Sequence, residues 1–152
     1  MVDEPTLLPQ ALPQTVLSID PGTTKCGIAV VVGEALGRCR VLHREVPETE
    51  RLVARVLSLL AEHPAINAVL IGNATNSAPL YRALRASLPP ALPLHRVEEA
   101  FTSQRARVRF QLENPPRGFE KLLPPGLRTP PRPYDDYVAV LLAEDFFAAA
   151  KI

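Results

Sequence analysis

The feature that most constrains this chain is a change of hydrophobic period at residue 47. Before it, residues 15–20 and 27–32 are apolar, β-branched runs, and 38–46 follows as a third strand-like segment. Only short turns separate them, the first bracketed by Gly22 and Gly27 and the second running from Gly33 to Gly37. Strand-like runs joined so closely imply an antiparallel meander. The third run is expected to set Cys39, Val41 and His43 on one face. After Pro47 the apolar residues fall at Leu52, Val53, Val56, Leu59 and Leu60, one face of a helix that a proline opens near its first turn. Strand and helix patterns then alternate: strand 67–72, helix 78–88, strand 94–98, helix 102–112 and a final helix over 134–151. The order βββ-α-β-α-β-α-α predicts an α/β fold: a five-stranded mixed sheet, three antiparallel strands then βα units, with helices on both faces.

A chain of 152 residues is one domain of ordinary size. Residues 1–14 carry Pro5, Pro9 and Pro13 without periodicity and read as a flexible arm, so the domain is expected over 15–152. Residues 114–133 hold seven prolines and two glycines, which makes them a long loop within it. The formal net charge of +1 conceals an uneven distribution. Between Phe101 and Pro133 there are seven basic residues against two acids, a net +5 that leaves −4 elsewhere. A basic stretch set against an acidic remainder suits a protein that receives a polyanion on one face. Aromatic residues are 5% and Trp is absent, so such contact would rest on charge more than on stacking. Cys26 and Cys39 are too few for a zinc site or a disulfide framework. No apolar run approaches ~18 residues and the amino terminus has no basic start before an apolar core, so a cytoplasmic protein with no membrane partner is expected.

Three acids stand where strands end or a helix begins. Asp20 closes the first strand and is followed by Pro21-Gly22-Thr23-Thr24-Lys25, where two hydroxyls and an ammonium could contact phosphate. The plainer alternative is a turn that only ends a strand. Glu99 follows the fifth strand beside Glu98, either as a ligand or as half of a solvated acidic pair. Asp136 shares a helical face with Ala139, Val140, Ala143 and Phe147, so it should point at the sheet. Asp135 is turned about 100° away and is expected to serve the helix dipole. Converging carboxylates need a cation, and hard oxygen donors point to Mg²⁺ or Mn²⁺. Such an ion activates water for phosphoryl displacement.

The same residues resemble a known family. The run from Ile19 to Val30, IDPGTTKCGIAV, resembles the opening motif of the Holliday-junction-resolvase-like proteins, the RuvC and YqgF (RuvX) group. The stretch from Val69 to Asn76 is similar to the family's next strand and polar loop, with Gly72 and Asn76 matching. Val97 to Ser103, then Ala106-Arg107, resembles the YqgF stretch V-D-E-R-L-T-T…A-R, and the residues from Asp136 to Val140 resemble D-A-I-A-A. The resemblance implies a ribonuclease-H-like fold and carries catalytic and metal-binding roles onto Asp20, Glu99 and Asp136. It further implies cleavage of structured nucleic acid: trimming of ribosomal RNA precursors, slightly favoured, or cutting of four-way DNA junctions. The chain departs from the pattern at Ala100, where the family has Arg, at Pro21, where the YqgF branch has an aromatic residue, and in its longer loop before Asp136.

Expected substrate contacts are Thr23, Thr24, Lys25, Asn73, Asn76, Thr102, Arg107, Arg117, Lys121, Arg128 and Arg132. Asn73 and Asn76 could orient phosphate or water, or simply make a turn, and Thr102 is also a plausible helix cap. The partner is then RNA or branched DNA, with a homodimer as a further expectation. Two rival classes share part of the pattern. One is an inactive nucleic-acid-binding module of the same fold. The other is an actin-like or sugar-kinase ATPase lobe, which also opens with an Asp-x-Gly-Thr-Thr loop but needs two lobes around its nucleotide.

Overall fold

The computed structural model describes residues 14–34, 38–74, 77–99, 102–113 and 135–149. The expected arm at 1–14, apart from Gln14, and the proline-rich loop at 114–133 lie outside the described residues. Three strands come first: β1 (Gln14–Asp20), β2 (Gly27–Gly33) and β3 (Cys39–Glu45). A 3-10 turn at Thr49–Arg51 runs into α1 (Leu52–Glu62), followed by β4 (Ile66–Gly72), α2 (Ser77–Ser87), β5 (Leu94–Val97), α3 (Thr102–Glu113) and α4 (Asp135–Ala149). The order of elements is the expected one.

The strands form one sheet in the order β3-β2-β1-β4-β5. β2 pairs antiparallel with β1 and β3, while β1–β4 and β4–β5 are parallel. The carboxyl ends of β1, β4 and β5 therefore share one edge of the sheet.

Each face of the sheet has its own core. On one, Leu17, Ile19, Ile28, Val30, Val69 and Ile71 meet Leu52, Val56 and Leu59 of α1 and Leu84 of α2. On the other, Val16, Ala29, Val31, Ala68 and Leu70 meet Ala139, Val140, Ala143 and Phe147 of α4. The far side of α4 is covered in turn, since Tyr137, Val138, Leu141 and Leu142 pack with Ala106 of α3. A helix covered on two sides must be apolar nearly all round, which is why the α4 sequence shows no strong polar stripe. Arg105 pairs with Asp145 at 2.8 Å and Arg109 with Glu144 at 2.7 Å, fixing how α3 lies along α4. Among the described residues no helix is long and apolar enough to cross a membrane.

One sequence expectation is corrected in β3. Val41 lies opposite Val31 but His43 lies opposite Val30, so Leu42 is an extra residue in the ladder. A bulge of this kind leaves one residue unmatched and turns the following side chains to the other face. Cys39 packs against the α4 side, whereas His43 sits near His63, with ring centroids 6.5 Å apart, at the end of α1. Val41 and Leu42 are both exposed.

Candidate active site

Asp20 is the last residue of β1, and strand alternation puts it on the α4 face with Val16 and Ser18. Its two neighbours across the sheet are glycines. Gly27 of β2 is its direct antiparallel partner, and Gly72 of β4 lies one step beyond the Ile19–Ile71 pair. Neither glycine has room for a side chain. A Cβ on Gly27 would run into the backbone of Asp135 and Asp136, and one on Gly72 into the carboxyl of Glu99. Neighbouring strands are ~4.8 Å apart, so these two bare positions let acid-bearing segments close in on Asp20 from both sides.

Glu99 reaches its place through the end of β5. Val97 is paired with Gly72, the Asn73 amide donates to the Val97 carbonyl at 2.9 Å, and the Glu99 amide donates to Asn73 Oδ1 at 3.2 Å. The Glu99 carboxyl then lies back over Gly72 and shares a hydrogen bond with the Asp20 carboxyl.

At the start of α4 the two acids separate. Asp136 is 3% exposed and its Oδ1 accepts the Tyr137 amide at 3.0 Å, satisfying one of the donors that a first helical turn leaves without an intrahelical partner. The charge of Asp135 acts on Asp20. It was the one expected to serve the helix end.

The electrostatics follow from this crowding. Burial pushes the Asp20 carboxyl up to about 9, reinforced by the hydrogen bond to Glu99, then by the charge of Glu99 and that of Asp135. Asp135 is also raised, first by burial and then by Asp136, with Lys25 opposing the shift. In the absence of a cation the folded chain therefore keeps a proton on Asp20 up to about pH 9, while the unfolded chain loses it near the ordinary value of 3.8. Across that window the unfolded state binds fewer protons, so metal-free stability should fall as pH rises from about 4 to about 9. Melting in EDTA at the two ends of the window should show a larger loss for the wild type than for Asp20→Asn. Equal losses would show that no proton is held at Asp20.

The loop after β1 is clipped to the segment before α1. The Cys26 amide donates to Pro47 O at 3.0 Å, the Thr49 amide to Thr24 O at 2.8 Å and the Thr49 hydroxyl to Gly22 O at 2.8 Å. Thr23, Thr24 and Lys25 are left exposed on a held turn. A groove of about 500 Å³ between β3, α3 and α4 is lined by Arg44, Arg109, Glu113 and Tyr137, among others. Arg44 stacks over Tyr137, 4.3 Å from the ring centre, and lies 3.9 Å from Glu113, while Arg109 pairs with both Glu113 and Glu144. Acids already balance the cations of this groove.

Asn73 is exposed at the end of β4. Thr102 and Arg107 lie in α3, but their side chains are outside the described residues, as are Asn76, Arg117, Lys121, Arg128 and Arg132. Among the described residues no three His, Cys, Asp or Glu side chains form a ready cation cage. Two carboxyls meet directly and a third is close enough to act through its charge. Carboxyl oxygens are the donors a hard divalent cation takes, and such an ion would replace the proton held at Asp20. From sequence, Asp135 was given to the helix dipole and Asn73 to substrate, and the seats at Gly27 and Gly72 were missed. A glycine at one end of each strand flanking β1, Gly27 opening β2 and Gly72 closing β4, was the available signal.

No protein-family model matches the chain, and neither does any curated protein. Solved structures do. RuvC of Thermus thermophilus superposes with a TM-score of 0.61 at 24% identity, over 90% of this chain and 96% of that one. The same organism's RuvC in complex with a Holliday junction gives 0.56 at 25% identity, over 90% and 94%. The Fowlpox virus resolvase with Holliday junction DNA gives 0.61 at 12% identity, over 90% and 98%. The fold is therefore ribonuclease-H-like. Within that class it is the fold of RuvC and of the Fowlpox virus resolvase.

Proposed function

We propose that this chain is a divalent-metal-dependent nuclease that hydrolyses phosphodiester bonds in branched DNA. The observation that carries the reading is the meeting of the Asp20 and Glu99 carboxyls at the sheet edge, with Asp135 behind Gly27. Support for the substrate class comes from the similar proteins that were solved with Holliday junction DNA. Asp20 and Glu99 would hold the cation, Mg²⁺ or Mn²⁺, with a third carboxylate from the start of α4, where Asp135 is favoured over Asp136. A cation held there would activate water and steady both oxygens of an in-line displacement.

The chain's own residues have defined tasks in this reading. Asp20 must give up the proton that burial and Glu99 hold on it. The exposed Lys25 ammonium, near enough to act on Asp135, can meet a phosphate approaching the acids, and the Thr23 and Thr24 hydroxyls lie on the same held turn. A two-fold homodimer would offer two such edges to the two halves of a symmetric junction.

The test is cleavage of a labelled four-way DNA junction, single-stranded DNA and structured RNA in Mn²⁺, Mg²⁺ or EDTA. Junction cleavage that needs the cation and vanishes in Asp20→Asn is expected, with junction binding retained by that variant. Full activity in EDTA would overturn metal dependence. Cleavage of RNA alone would move the substrate to the ribosomal-precursor reading.

A further inference from the structure

β4 and β5 are parallel, and their ladder ends at the Gly72–Val97 pair. Beyond it the two chains must diverge, because Asn73 leads toward α2 and Glu98 and Glu99 toward α3. The Asn73 amide still finds Val97 O at 2.9 Å. The next donor on the β5 side, the Glu99 amide, meets a side chain instead of a backbone carbonyl: Asn73 Oδ1 at 3.2 Å. The backbone of Glu99 is thus tied to the residue that follows Gly72, and its carboxyl folds back across that same glycine toward Asp20.

We infer that Asn73 is a positioning residue for Glu99, its side-chain oxygen holding the Glu99 backbone so that the carboxyl lies over Gly72 against Asp20. This inference rests on the metal-nuclease reading and differs from the expectation that Asn73 touches substrate. The oxygen accepts from the Glu99 amide, so this contribution of Asn73 passes through the acid; a phosphate contact would use the Nδ2 donors instead, and the junction-binding readout below separates the two. A short side chain is needed, since the acceptor must lie within one residue of the ladder's end. Aspartate would supply the same oxygen at the same reach, whereas alanine supplies none.

The test compares Asn73→Ala and Asn73→Asp with the wild type by two readouts that need no turnover. One is the Mn²⁺ concentration giving half of the metal-induced rise in melting temperature. The other is affinity for a four-way DNA junction in EDTA. Losing a group that orients a ligand costs about 10–100-fold in metal affinity, so Asn73→Ala should shift the Mn²⁺ midpoint upward by that order. Asn73→Asp should bring it back near the wild-type value, and Asn73→Ala should leave junction affinity in EDTA unchanged. An unchanged midpoint in Asn73→Ala would overturn the inference while leaving the nuclease reading intact. Weaker junction binding in both variants with no midpoint shift would return Asn73 to substrate contact. A wild-type protein with no Mn²⁺ response would remove both readings together. Should Asn73→Ala not fold, Asn73→Ser, whose oxygen falls short of the Glu99 amide, takes its place in each comparison.

Discussion

Asp135→Asn is expected to lose junction cleavage by at least about a hundredfold, the scale on which removing a single electrostatic group from a reacting centre is felt. Its charge acts on Asp20, and it is itself raised by burial and by Asp136, the state of an acid held in a crowd without a cation. Asparagine keeps the shape and removes the charge, so the fold should persist and melting in EDTA should hold or rise. Asp136→Asn should behave differently. That side chain is buried and its Oδ1 serves the Tyr137 amide, a task asparagine can continue. What it loses is a negative charge in the first turn of a helix, worth about 0.3–1 kcal/mol and up to ~2 when partly buried. Most of the cleavage should remain. Both variants should be measured for cleavage and for melting with and without Mn²⁺. An inactive Asp136→Asn beside an active Asp135→Asn would restore Asp136 as the third ligand.

Gly27→Ala and Gly72→Ala form the second large prediction, because the two glycines admit different neighbours. A methyl on Gly27 would strike the backbone of Asp135 and Asp136, which cannot swing aside without lifting the start of α4. Overpacking against fixed atoms costs about 1–3 kcal/mol, and here the displaced segment carries Asp135 as well. Gly27→Ala should therefore lose both stability and cleavage. The nearest atoms to a methyl on Gly72 are Oε1, Cδ and Cγ of the Glu99 side chain, which can rotate away. Gly72→Ala should keep its urea midpoint yet lose cleavage and Mn²⁺-induced stabilisation. If both variants unfold alike, the carboxyl over Gly72 is held more rigidly than a flexible side chain allows. If both are active, neither seat matters.

The architecture was legible because the chain states its periods plainly. The meander, the helix at Leu52–Glu62 and the later βα alternation are each marked by apolar spacing. The bulge at Leu42 was not legible, since an alternating pattern cannot announce an inserted residue and the exposed edge strand has no buried face to enforce register. Asp20 and Glu99 were singled out from their places at strand ends, and their carboxyls lie against each other. The helical wheel correctly grouped Ala139, Val140, Ala143 and Phe147 on the sheet side of α4. It could not show that the first turn, with the backbone of both Asp135 and Asp136, rests against Gly27. The basic residues expected in the long loop are silent on this point, lying outside the described residues.

The two acids that flank Asp20 are mounted on supports of unequal stiffness. Asp135 begins a fifteen-residue helix gripped by the sheet on one side and by α3 on the other. Glu99 follows a four-residue strand at the margin of the sheet, which among the described residues has a strand neighbour on one side only. Opening near such a margin costs much less free energy than opening a helix packed on two sides. Breathing of the site is therefore expected to be lopsided, with α4 the firmer side and the end of β5 the looser one. Exchange of a proton for a cation at Asp20 would be gated from the Glu99 side.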